Sequence, residues 1–553
     1  PARSAEDPGD ARYGAASALF IQEKYAEAAP ALEKFLAEFP KHPKAAQARL
    51  RWGHALLALE KPEPAAVAFE AVLQDTTAPD LRPEAMLGLG RARMSLGKPE
   101  LAATAFEAVL KDNTIPALRP EALVGLGRAR VALKDDARAV EALTEAFRLT
   151  EGDRDLALPT ALLLGDALFR QGGFAEAARA FERAIQSPDH ADAPRAHLMA
   201  ADSYRRAGNH PAAALLFRQT VERYPRLPLA AGAALGAGDA FLAAGKPRDA
   251  EAEYRRVLSD YGDSPQASRA QLGLGRVAHT RGDYVTARSA FAAASVLFPS
   301  AGIAPEAELR TGDTYLAERN FAEARKRYRA SAAAPEPLVR YEAQYSLALV
   351  DQQEGELGPA ADALRKLAET PAAGRWVQAA RIRLAQIRAS AGDHAAAITL
   401  LRETLAEKPE PVTRDEASLL LAEALMEQGD FANAEVELKA LVARAPESPR
   451  AAVAAVHTAR ARLEQMDAAG ALAGAAAALA GELEPDVRAA ALAVRGRAEL
   501  RLKNPSGAAT LREVLEKHPD APVAAGAAQA LLAHYRDAKE APAAAEIEKL
   551  IAQ

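Results

Sequence analysis

Residues 63–93, EPAAVAFEAVLQDTTAPDLRPEAMLGLGRAR, return 37 residues later as residues 100–130, ELAATAFEAVLKDNTIPALRPEALVGLGRAR, with 23 of 31 positions identical. A self-match at a fixed period in the thirties is the signature of a stacked array, in which each short unit is stable only against its neighbours. At 553 residues the chain is too long for one ordinary hydrophobic core. The repeat decides between several separate cores and one array in favour of the array.

One landmark carries the period along the chain. A large apolar residue in the middle of every second helix falls at Leu32, Phe69, Phe106, Leu143, Phe181 and Phe217, then at Tyr254, Phe291, Tyr328, Leu364, Leu401, Leu438, Ala475, Leu511 and Ile547. Successive gaps are 36 to 38, which makes fifteen units. Four residues earlier stands an alanine in most of them, from Ala28, Ala65 and Ala102 to Ala397 and Ala434. Residues at i and i+4 share a helix face, so the small one admits a neighbouring helix and the large one fills the space beyond. Each first helix carries a small residue near its middle, such as Gly53, Gly90, Gly127, Gly165, Gly238, Gly275 or Gly312. Turns such as GKPE, GNHP, GDYV and GDFAN follow. Their glycine suits the positive φ that ends a helix, and the Asp or Asn beside it suits the cap of the next. Pairs such as Phe39-Pro40, Tyr224-Pro225 and Phe298-Pro299 close the second helices, because proline cannot continue them.

These features resemble the tetratricopeptide repeat family, whose pattern is W-x2-L-G-x2-Y…A-x3-F…P. Leu164-Gly165-x2-Leu168, Ala177-x3-Phe181 and Ala213-x3-Phe217 followed by Pro225 carry the likeness, which runs from about residue 10 to residue 551. The resemblance implies an all-α fold, a right-handed α-α superhelix (a solenoid) of about fifteen helix-turn-helix repeats. A narrower likeness lies in YPRLPLAAGAALGAGDAF, YGDSPQASRAQLGLG, APESPRAAVAA and HPDAPVAAGAA. They resemble the inter-repeat segments of bacterial envelope proteins of this family, of the cell-division coordinator and outer-membrane assembly lipoprotein types.

The expected organisation is a mobile leader over residues 1–9 and an N-terminal array over 10–335. A central array over 336–465 and alanine-rich units with a cap over 466–553 complete it. Residues 468–480, AAGALAGAAAALA, replace the large landmark by Ala475 and add glycines, so little burial offsets the entropy of ordering them. A soft spot is expected there, and a bend at residues 331–338, SAAAPEPL.

Composition narrows the chemistry. Hydrophobic residues make up 49% and aromatics only 5%, so alanine, the best helix former, carries much of the apolar surface. The net charge of −6 argues against nucleic acid as a partner, which calls for a basic stripe. Arg91, Arg93, Arg128 and Arg130 lack the interleaved aromatics of a strand-binding groove. No apolar run approaches the roughly 18 residues of a membrane span. Without cysteine there is no disulfide, thiolate metal site or cysteine nucleophile. The chain opens on Pro1 rather than Met. A removed secretory signal, or a lipidated cysteine cut away, is the expectation; it places the protein in the periplasm or cell envelope, with the cytoplasm as the alternative.

No motif calls for catalysis, a cofactor or a metal. Gly88-Leu89-Gly90, Gly125-Leu126-Gly127, Gly236-Ala237-Gly238 and Gly273-Leu274-Gly275 begin like a dinucleotide fingerprint. They lack its third glycine and its preceding strand, so close helix packing is the expected role. Asp189, His190 and Asp192, with His197, have a hint of ligand spacing, but Asp at a helix start is ordinarily a cap. P-loop, HExxH and G-x-S-x-G patterns are absent.

The inner face of the first helices is the usual binding surface in the family resembled. Directly after the mid-helix small residue stand His54, Arg91, Arg128, Asp166, Asp202, Asp239, Arg276 and Asp313. One turn earlier the row is apolar: Leu87, Val124, Leu162, Leu198, Leu235 and Leu272. A basic band abutting an acidic band is expected to orient a peptide or another subunit, with the apolar row holding it. The Asn and Lys clamp of the family's chaperone-tail receptors has no counterpart at these places. The implied function is a non-catalytic scaffold in assembly of an envelope complex. A self-associating structural protein, forming a dimer or larger array, is one alternative; an accessory subunit of an enzyme complex is the other.

Overall fold

The computed structural model describes residues 7–112, 114–153, 155–186, 190–446 and 448–552. Among the described residues the chain forms thirty α-helices and four short 3-10 turns, with no strand. The helices pair consecutively into fifteen hairpins, as the landmark period predicts. Contacts divide them into two compact units, Pro1–Ala301 and Gly302–Gln553. The first holds eight hairpins, from Pro8–Ile21 with Tyr25–Glu38 to Gln266–Thr280 with Tyr284–Leu297. The second holds seven, from Ala304–Ala317 with Phe321–Ala332 to Ala524–Asp537 with Ala541–Ala552. Within each unit a second helix packs on its own first helix and on the first helix of the next hairpin.

The core follows from the landmarks. All fifteen lie on second helices and are buried, and the alanines four residues before them, Ala28 to Ala434, are wholly buried. Ala475, the smallest landmark, is also buried, in a patch with Ala459, Leu463, Ala471 and Val494. Its helix, Ala468–Leu479, forms despite the glycines, capped by Asp467, which accepts from the Gly470 N–H.

The turns follow one rule. Each hairpin has a single turn residue with positive φ: glycine in eight, beginning with Gly97, and Glu23, Glu60, Lys134, Arg319, Met466, Lys503 or Lys539 in the other seven. A side chain in that conformation costs about 1 kcal/mol, and these turns are exposed, so nothing else opposes it. The next residue caps the second helix through its side chain at Asp135, Asn209, Asp283, Asn320, Asp393, Asp430 and Asp467.

Residues 8 and 9 of the leader expected over residues 1–9 lie in a helix. Helix Pro8–Ile21 starts there, Asp7 Oδ1 accepts from the Gly9 N–H at 3.0 Å, and Gly9 is buried. A β-carbon at Gly9 would stand 2.7 Å from the His42 ring, so the glycine ties the first turn to the next hairpin. Residues 1–6 lie outside the described residues.

First helices lengthen in the middle of the second unit, between Ala304–Ala317 and Ala524–Asp537, which have 14 residues. Those from Ala45–Ala58 to Gln266–Thr280 have 14 or 15 residues. Those from Pro337–Gln353 to Pro485–Arg501 have 16 or 17, each begun by proline or arginine close to the preceding linker. No helix among the described residues is long and apolar enough to cross a membrane.

Candidate functional site

The G-x-G pairs are ring seats. The Phe106 ring lies between its own first helix and the next, where a β-carbon at Gly90 or at Gly125 would come within 2.6 Å of it. Tyr254 sits likewise between Gly238 and Gly273, at 2.5 and 2.6 Å. The first glycine of each pair thus seats the ring of the preceding hairpin, and the second seats the landmark of its own, a ring except at Gly127, which meets Leu143. Both functions need the absence of a side chain, which is the packing role expected.

The charged row is placed on one face of the first helices, most of which touch the next first helix of their unit. Most of its members are answered by the chain itself. Arg91 pairs with Glu121 of the next first helix, and Asp166 with Arg195 at 2.6 Å. Asp202 holds Arg205 and Arg206 of its own helix. Asp239 accepts from the Tyr254 hydroxyl at 2.8 Å and from Arg276 at 2.9 Å. Asp313 accepts from the Tyr328 hydroxyl at 2.8 Å and from Arg310 at 3.1 Å. His54 packs edge-on against Phe69 at 5.0 Å, and burial, with the Arg91 charge, holds its imidazole down to about 4. Arg128 is exposed and has no ion pair among the described residues. The two expected bands are therefore mostly paired within the chain, across repeats at Arg91, Asp166 and Asp239 and within a hairpin at Asp202 and Asp313, each ion pair worth about 0.2–1 kcal/mol where exposed.

The apolar row needs a correction. Leu87, Val124, Leu162 and Leu272 are buried in the cores, and only Leu198 and Leu235 are partly exposed. Leu87, for example, packs with Ala102, Phe106 and Ala122. Four residues along a helix is 40° more than a full turn, which rolls this row away from the charged face and under the neighbouring helices.

Of the residues with ligand-like spacing, Asp189 lies outside the described residues. His190 and Asp192 meet at 3.6 Å in a surface loop, while His197 is buried edge-on against Tyr224. Three potential ligand atoms come within 4.8 Å of one another only at Asp7, Asp10 and His42 among the described residues. There the imidazole meets Asp7 at 3.3 Å and Asp10 at 3.6 Å, contacts that serve the turn described above.

Two hollows in the second unit were not singled out by sequence. A groove of about 540 Å³ is lined by Tyr345, Arg375, Trp376, Arg383, Lys408 and Glu416 among others. Trp376 and Tyr345 lie 5.2 Å apart, the Arg375 guanidinium is 5.0 Å from the indole, and the buried indole N–H has no acceptor among the described residues. A cavity of about 280 Å³ adjoins it across Gln386, bounded by Ala389, Leu420, Glu423, Met426 and His457. Burial pushes the Glu423 carboxyl above the usual carboxylate range, Arg460 opposing and Glu427 adding to it. Burial and Arg460 hold the His457 imidazole down to about 4. The signal in the sequence was the change of landmarks from aromatic rings to Leu364, Leu401 and Leu438, beside alanine in place of glycine at Ala348, Ala385 and Ala422.

No curated protein matches the chain. Among solved structures it is similar to the Cut9–Hcn1 hetero-tetramer of the APC/C, with 17% identity over 88% of this chain and 96% of that one, at a TM-score of 0.38. Yeast Tom70 matches with 15% identity over 86% and 99%, at 0.43. A tetratricopeptide repeat protein of Parabacteroides merdae ATCC 43184 matches with 16% identity over 45% and 92%, at 0.31. Two family models, both described as tetratricopeptide repeat, match the sequence itself. One covers residues 2–43, 13–81, 87–154, 162–228 and 235–302, and the other residues 388–463. With more than half its length under the first model and hairpins in phase from end to end, the chain belongs to the tetratricopeptide repeat family.

Proposed function

We propose that the protein is a non-catalytic scaffold that binds a peptide segment or a subunit of a larger complex on the face of its first helices. Repeat folds of this family typically serve protein binding rather than catalysis. The observation that carries the reading is the groove at Tyr345 and Trp376, an aromatic pair with a buried, unanswered indole N–H and three cations around it. Aromatic and arginine side chains are the residues that anchor protein partners. A rigid array presents such a groove already formed, which lowers the ordering cost of binding. The earlier bands contribute less to capture than the groove, because the chain's own partners largely neutralise them.

The finer part of the proposal is that this scaffold helps assemble a bacterial cell-envelope complex, supported by inter-repeat segments such as YPRLPLAAGAALGAGDAF. A peptide-display selection against the full chain tests the first part. Selected peptides are expected to lose at least tenfold in affinity on Trp376→Ala and little on Arg91→Glu. Peptides indifferent to Trp376→Ala overturn the groove. Fractionation of the producing cells tests the second part, and recovery in the cytoplasm alone would end it.

A further inference from the structure

The cavity beside that groove lies among helices Arg375–Ser390, Pro411–Glu427 and Pro449–Glu464, with His394 and Leu401 behind it. It is where the array leaves a carboxylate unanswered. Beyond Asp166 and Asp202, which arginines hold, an acid directly after the mid-helix small residue recurs at Asp239, Asp313 and Glu423. Asp239 and Asp313 each accept from a landmark tyrosine hydroxyl, Tyr254 or Tyr328, and from an arginine, Arg276 or Arg310. At Glu423 the landmark is Leu438, which has no hydroxyl, and Arg460 turns to Glu427 instead, at 3.2 Å. The ionic neighbour left to Glu423 among the described residues is the His457 ring, 4.0 Å away. Gln386 Oε1, His394 Nδ1 and His457 Nδ1 belong to residues bordering the same cavity, and these atoms are buried and without hydrogen-bond partners among the described residues.

We propose that this cavity is a lysine pocket, taking the side-chain ammonium of a partner protein's lysine against Glu423 and the Gln386 carbonyl. The proposal rests on the first-helix face being a protein-binding surface. Sign comes first: two acids on the walls, Glu423 and Glu427, face one arginine, Arg460, and the His457 imidazole, held down to about 4, brings no positive charge at neutral pH. A half-buried carboxylate whose nearest arginine is paired with another acid is only partly compensated, and an incoming cation lowers the remaining cost. Shape comes second. An ammonium is compact and has three N–H donors, which suits a carboxylate, an amide oxygen and an imidazole nitrogen around a small space. The methylene stem of the lysine then lies along Ala389, Leu420 and Met426.

The test uses the full chain with labelled alanine, leucine and methionine methyl groups. It is titrated with Nα-acetyl-lysine methylamide and, in parallel, with its norleucine and arginine counterparts. The lysine compound is expected to shift the Ala389, Leu420 and Met426 signals saturably, and the norleucine compound to leave them in place. Glu423→Gln is expected to weaken the lysine compound at least tenfold. Gln386→Lys, which supplies an ammonium from the chain itself, is expected to abolish binding while the melting temperature stays within a few degrees of the parent. Equal response to norleucine, equal or tighter binding of arginine, or undiminished binding by a folded Glu423→Gln overturns the pocket. If the lysine compound fails while Trp376→Ala still abolishes capture of selected peptides, only the pocket falls. If capture fails as well, the binding face falls with it.

Discussion

In the first unit most hairpins set an aromatic ring against glycine; from Pro337 to Arg444 the second unit sets leucine against alanine. The ring of Phe106 fills the gap between two backbones that approach closely because Gly90 and Gly125 have no side chains. Leu401 and Leu438 pack in one core cluster with Ala385 and Ala422, and Leu401 and Ala385 border the cavity that an aromatic ring does not fill. Longer first helices go with that change. The same repeat therefore yields a solid stretch and a hollow one. Where the hollow lies, the acid that a tyrosine would have answered is left to something outside the chain.

The comparison can be broken at its strongest point first. Phe106→Ala is expected to cost about 3–5 kcal/mol, the range for emptying an aromatic site that cannot collapse. Leu401→Ala, beside space that already exists, should fall at about 2 kcal/mol, the low end for leucine. Denaturant unfolding of both variants checks this, and equal losses would erase the distinction.

Acid stability comes next, with one histidine in each unit. His54 and His457 are held near 4 by burial, Arg91 adding in the first case and Arg460 in the second. An unfolded histidine protonates near 6.5, so between 6.5 and 4 the unfolded chain binds protons that the folded chain refuses. The contribution is complete above about 6.5 and is lost as pH falls toward 4, by roughly 3 kcal/mol at most for each site. Melting temperatures across that window should drop, less steeply in His54→Gln and in His457→Gln. If only one variant flattens the profile, the two units differ in acid response as well.

Smaller effects sharpen the picture. Gly90→Ala should destabilise by about 1–3 kcal/mol because the new methyl meets the Phe106 ring, although alanine is the better helix former by about 0.5–1 kcal/mol. Ala385→Gly should cost only that propensity term, about 1 kcal/mol or less. Thermal unfolding of the pair distinguishes seat from spacer. Least in size is the turn: Met466, exposed at positive φ, should gain about 1 kcal/mol on replacement by glycine. Amide exchange across residues 468–481 is expected to be faster than across 165–261, and Met466→Gly should narrow the gap.

Periodicity made the hairpins legible because every landmark must return to the same side of its helix, and Leu32 to Ile547 are all buried as that requires. The caps were legible for the same local reason: Asp283 and Asp430 act within three residues. The apolar row was misplaced because Leu87 and Val124 differ from the charged row by only 40° of helix rotation, and which helix covers them depends on the neighbouring hairpin. The hollow at Glu423 was hidden because a cavity is a deficit of volume summed over Ala385, Leu401 and Leu420. Single letters do not record it.

Because Phe69 is clasped by Gly53 on one side and Gly88 on the other, the mechanical module does not coincide with the module of sequence. A fragment cut after a second helix would present half a ring to water, whereas one cut after the following first helix would not. Shortened versions of this protein should therefore carry an odd number of helices, and shuffled versions should be joined in the outward turns, where the left-handed residue already tolerates any neighbour.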